Sequence, residues 1–128
     1  MALASALPDN ASQYTDKMLK RVSWGEAWVP PLWPYEIANG LLMAQRRDRL
    51  TAVQSSAYVE ELLLLPIEIE RRTARTVLET HINLATQYAL TAYDTAYRDL
   101  ALRKAVPLMT QDKALRSAAI KAGVKIAA

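Results

Sequence analysis

Residues 91–112, TAYDTAYRDLALRKAVPLMTQD, hold a helix start, a turn and a short apolar run ending at an acid. Thr91 suits a helix N-cap, with Asp94 three residues on as its capping-box partner, and Ala96, Leu100 and Ala101 supply an apolar stripe. Residues 106–110, VPLMT, form a run suited to a strand buried on both faces, and Asp112 follows it. In an α/β layer the helix runs antiparallel to the strand it feeds. Its N-terminus therefore lies at the sheet edge where that strand ends, and Asp94 and Asp112 are expected at one place.

The same alternation extends outward. Residues 9–22, DNASQYTDKMLKRV, read as a first helix capped by Asn10 or Ser12, with Tyr14, Met18, Leu19 and Val22 on one apolar side. Residues 26–30, EAWVP, follow a glycine and read as a short strand. Pro34 suits the first position of a helix that runs to about Arg47, because proline lacks an N–H that would be unpaired there. Glu36 falls in its first turn, just past the carboxyl end of a strand.

Residues 51–65 read as the next helix, with Val53, Ala57 and Leu64 facing inward. Residues 66–70, PIEIE, alternate apolar and acidic side chains, as in an edge strand with one wet face. One or two helices occupy residues 73–89. Asp112 is expected to cap a last helix ending at Gly123, and VKI at 124–126 adds a short final strand. Strands and helices joined by short connections imply an open, three-layer α/β/α fold with a parallel sheet, in one domain spanning residues 1–128.

Composition agrees. A chain of 128 residues that is 52% hydrophobic has material for one core. The absence of cysteine excludes disulfides and thiolate zinc sites and fits a reducing cytoplasm. The opening MALASALPDNASQ lacks a basic leader, and no apolar run approaches the ~20 residues that span a bilayer, so a cytoplasmic protein without membrane contact is expected. The net charge of +3 is uneven: residues 1–64 carry six Lys/Arg against seven Asp/Glu, and residues 65–128 ten against six. A basic second half can attract phosphates, although such an excess is more often a solvated surface.

Glu36, Asp94 and Asp112 each have an ordinary explanation. Carboxylates in a helix first turn gain roughly 0.3–1 kcal/mol from the helix dipole, and aspartate is a good N-cap. Their convergence on the sheet edge where open α/β folds bind ligands tilts the balance. Carboxylates gathered there repel one another unless a cation joins them, and oxygen ligands suit Mg²⁺ or Mn²⁺.

These residues resemble those of a known family. LTAYDTAY at 90–97, PLMTQD at 107–112, Leu115 and Ala118-Ala119 are similar to the C-terminal half of PIN-domain ribonucleases, above all the VapC toxins of toxin–antitoxin pairs. Residues 29–39, VPPLWPYEIAN, resemble the motif that carries the family's glutamate. The resemblance implies a metal-dependent endoribonuclease with Glu36, Asp94 and Asp112 as metal-binding catalytic residues and Thr110 as a weaker candidate near them. It also implies an RNA substrate, a cognate antitoxin and a homodimer.

The family opens with a central strand ending in aspartate, then a small residue and Ser or Thr. Residues 2–12 match the part just after that motif, so the strand and its aspartate are expected to be absent. A centre short of one carboxylate should hold its cation more weakly. A chain starting late and a copy without catalysis, kept for protein binding or dimerisation, both fit. Neither Asp9 nor Asp16 follows an apolar strand.

Other residues have plainer readings. His81 lies in a helical stretch without an acid partner close in sequence, so packing is favoured over catalysis. Trp24, Trp28 and Trp33 surround the second strand and suit core or partner contacts. Arg46, Arg47 and Arg49 close a helix, and Arg71, Arg72 and Arg75 form a second basic group that can serve structure or RNA. Asn39, one turn after Glu36, can face the same wall. Glycine-rich phosphate loops and nucleophile elbows are absent, which argues against nucleotide hydrolysis and serine chemistry.

Overall fold

The short apolar runs of the sequence form strands. β1 (Ala2–Leu3), β2 (Ala27–Val29), β3 (Ile67–Ile69) and β4 (Leu108–Met109) form one parallel sheet in the order β3-β2-β1-β4. The computed structural model describes residues 2–3, 20, 27–109 and 113–126. Ala2 pairs with Trp28 on one side and Leu108 on the other, and Leu3 pairs with Met109. The middle of the sheet, expected to be vacant, therefore holds a two-residue strand. A segment this short pairs with both neighbours yet is too brief to show period-2 alternation, which is why the sequence concealed it.

β3 lies at the edge, as its alternating pattern suggested. Within the expected strand over residues 106–110, Leu108 and Met109 form β4 and residues 106–107 lie outside it, and residues 124–126 contribute one parallel bridge, between Ile126 and Leu108. The helix expected over residues 9–22 lies outside the described residues apart from Lys20, which is helical.

The helices start where their caps predict. α1 (Trp33–Arg46) has proline in its first turn, with Glu36 near its N-terminus and Arg46 in its last turn. α2 (Ala52–Leu63) begins with a full capping box, Thr51 Oγ1 accepting from the Gln54 N–H at 3.1 Å and Gln54 Oε1 accepting from the Thr51 N–H at 2.9 Å. α3 (Ala74–Thr76) continues through a π-helical turn, Val77–His81, into α4 (Ile82–Tyr88). α5 (Ala92–Lys104) is capped by Thr91 Oγ1, which accepts from the Asp94 N–H at 3.0 Å. α6 (Lys113–Lys121) is the last helix among the described residues.

The core joins Ala27 and Val29 of β2, Trp33, Ile37 and Leu41 of α1, Leu100 and Ala101 of α5, Leu108 of β4, and Leu115 and Ala119 of α6. α5 is its centre: every residue from Thr95 to Ala101 is buried. α2 departs from expectation. Val53 and Leu64 are 80% and 86% exposed and Ala57 is exposed too, whereas Ser55 and Leu62 face inward. Apolar residues lie on both sides of this helix, so periodicity alone assigns the wrong face.

Candidate functional site

Two of the three acids singled out in the sequence are described, and both are half-buried. β2 ends at Val29, Pro30 to Leu32 turn the chain, and α1 opens with Glu36 in its first turn, held in helical register by its N–H donating to the Leu32 carbonyl at 3.1 Å. Asp94 occupies the first turn of α5, fixed there by the Thr91 cap. Tyr97, three residues further along α5 and 2% exposed, donates its phenolic O–H to Glu36 Oε1 at 2.5 Å. Positions i and i+3 share a helix face, with Cβ atoms about 5–6 Å apart. The Tyr97 contact thus brings the Glu36 carboxylate beside the α5 turn that carries Asp94. Asp112 and Thr110 lie outside the described residues. Asn39 is exposed.

Among the described residues, no three His, Cys, Asp or Glu side chains gather closely enough to hold a metal ion. The donors that do meet are oxygens, the ligand type of hard divalent cations. Their charge state matters as much. Tyr97 is neutral, so it orients Glu36 without cancelling its charge, and Glu36 Oε2 makes no hydrogen bond among the described residues.

Glu70 and Asp99 stand in contrast. Arg103 grips Glu70 through two hydrogen bonds, of 2.6 and 2.9 Å, and donates from Nε to Asp99 Oδ2 at 2.7 Å. Arg72 lies 3.7 Å from both carboxylates. Hydrogen bonding to Glu70 raises the Arg103 pKa above its ordinary value, Asp99 adds to the rise and burial opposes it. These two acids are paired with arginines, whereas the partner of Glu36 among the described residues is a hydroxyl.

This cluster was not foreseen. Glu70, assigned to the wet face of an edge strand, is 8% exposed because it follows the last strand residue and turns in to meet Arg103. His81 is 5% exposed, and its Nε2 lies 3.5 Å from Asp99 Oδ2 without forming a hydrogen bond. That placement agrees with the packing role favoured above. Its acid partner comes from another helix, not from its own neighbourhood in sequence. Arg98, also buried, stacks over the Tyr88 ring at 3.8 Å and donates to the Ala118 carbonyl, so it serves the core. Lys104 lies over the Trp28 ring at 3.9 Å.

Tyr97 is the site residue that sequence reasoning missed. Its spacing from Asp94 was the available signal, since i and i+3 point the same way.

The chain is similar to Ribonuclease VapC3 of Pyrobaculum aerophilum, 28% identical over 109 residues that cover 85% of this chain and 82% of that protein. The crystal structure of PAE2754 from Pyrobaculum aerophilum matches with a TM-score of 0.67 and 27% identity, over 91% of this chain and 84% of that one. No family model matches. Among the described residues, no helix is long and apolar enough to cross a membrane.

Proposed function

From the premise that this chain carries a VapC-like PIN domain, we propose that it is a divalent-metal-dependent endoribonuclease, the toxin of a toxin–antitoxin pair. One observation supports this above the rest. Glu36 takes a hydrogen bond from the neutral hydroxyl of Tyr97, three residues after Asp94 on α5, whereas Glu70 and Asp99 are paired with arginines.

Glu36, Asp94 and Asp112 would hold Mg²⁺ or Mn²⁺. When bound, such a cation supplies an activated water and offsets the charge that builds on a phosphodiester during in-line attack. The chain's own part is positional. The Thr91 cap fixes the turn bearing Asp94, Pro34 and the Leu32 carbonyl fix the turn bearing Glu36, and Tyr97 joins them. RNA is the proposed substrate, a cognate antitoxin and a second copy of the chain are proposed partners, and the cytoplasm is the proposed compartment.

The test is cleavage of RNA by the 128-residue chain with Mn²⁺, run beside Asp94→Asn and an EDTA control. Cleavage lost in both controls is expected. Cleavage that survives Asp94→Asn would sink the assignment.

A second reading, a non-catalytic protein-binding module, draws on a different observation. An apolar groove of about 290 Å³ lies between α1, α2 and β3, lined in part by Leu63 and Ile69, which are 78% and 50% exposed. It predicts partner binding without cleavage by a chain shown to be folded.

A further inference from the structure

We infer that Tyr97 is a positioning residue for the metal-binding carboxylate of Glu36, an inference that rests on the metal reading above. A glutamate on a helix surface is free to sample several rotamers, and fixing it for a ligand costs side-chain entropy. Tyr97 removes that freedom beforehand. Its ring is locked in the core at 2% exposure, and its hydroxyl donates to Oε1 at 2.5 Å.

Three features separate this contact from ordinary packing. The donor is neutral, so the carboxylate keeps the charge that attracts a cation, whereas the arginines on Glu70 and Asp99 cancel theirs. Among the described residues only Oε1 is engaged, which leaves Oε2 for a ligand. Finally, Tyr97 sits one turn after Asp94 on the same helix, so the group that orients one carboxylate is rigidly placed relative to the other. A phenylalanine here would fill the core equally well. The hydroxyl is the part that acts on Glu36.

The experiment is a calorimetric titration of the whole chain with Mn²⁺ in the absence of RNA, with the melting temperature of the metal-free protein recorded alongside. Tyr97→Phe keeps the ring. It is expected to weaken Mn²⁺ binding about 3- to 10-fold, which is roughly 0.7–1.4 kcal/mol, while the metal-free protein stays folded. Glu36→Asp retains a carboxylate but shortens it by one methylene, out of reach of Tyr97. It should weaken binding comparably, and adding Tyr97→Phe to it should weaken binding no further.

This non-additivity is a readout that a merely structural tyrosine would not give, and it holds even if Tyr97→Phe melts early. Mn²⁺ binding by Tyr97→Phe within twofold of the unsubstituted chain, with Glu36→Gln impaired, would overturn the positioning role alone. So would full additivity of Tyr97→Phe and Glu36→Asp. An unsubstituted chain that does not bind Mn²⁺, or a Glu36→Gln variant that binds it equally well, would overturn the metal reading and this inference together.

Discussion

The Tyr97 hydroxyl donates to Glu36 Oε1 at 2.5 Å and ties α5 to the first turn of α1 across 61 positions of sequence. The ring is as important to the fold as the hydroxyl is to the carboxylate. Tyr97 is among the largest fully buried side chains, so Tyr97→Ala removes a ring from the centre of the core. A loss of about 3–5 kcal/mol is expected, or on the order of 10–20 °C in melting temperature. Thermal unfolding followed by circular dichroism checks it, and a loss below about 1 kcal/mol would contradict the packing described.

Arg103 is expected to matter far more than other paired arginines. Arg103→Ala leaves the buried Glu70 and Asp99 carboxylates with Arg72, 3.7 Å from each, and with His81, 3.5 Å from Asp99, among the described residues. Breaking a fully buried pair costs about 3–5 kcal/mol, but the Arg103 side chain is 33% exposed, so about 2 kcal/mol is the better figure here. Arg75→Ala breaks a pair with Glu79 that is open to water and should cost under about 0.5 kcal/mol. Urea denaturation of both variants gives the comparison, and equal effects would contradict it.

Two helices end on alanine in the left-handed region, Ala89 and Ala105, each with φ of 52°. An L side chain pays about 1–2 kcal/mol for that conformation, which glycine adopts freely. Glycine also loses more entropy on folding, which offsets part of the gain. Ala105→Gly should therefore stabilise the protein by roughly 0.5–1 kcal/mol, raising the melting temperature by a few degrees. A fall on substitution would place the helix end elsewhere.

The orientation of α2 has its own test. Leu62 is 7% exposed and Leu64 is 86% exposed, two residues apart. Leu62→Ala should cost about 2–5 kcal/mol, whereas Leu64→Glu should change stability by less than about 0.5 kcal/mol. The reverse order would turn the helix over.

The reach of the sequence can be followed residue by residue. The first-turn positions of Glu36 and Asp94 were legible because caps and helix starts are local: Pro34 and Thr91 each fix a helix start within four residues of the acid. The parallel sheet and its edge strand followed from short apolar runs separated by helices. The inward face of α2 was misassigned because Val53, Val59, Leu63 and Leu64 lie around it, and only neighbours decide which of them is covered. Ala2–Leu3 was overlooked because two residues carry no periodicity.

What the sequence determined by itself were the interactions closed within one or two turns of chain: the caps and the helix starts that carry Glu36 and Asp94. Tertiary structure decided which charges survive. Glu36 meets a neutral hydroxyl from α5, while Glu70 and Asp99 meet Arg103, and in both cases the outcome was set by side chains from another element. Local hydrogen bonds need only the spacing along the chain. The charge left on a carboxylate depends on partners that folding alone brings within 3 Å.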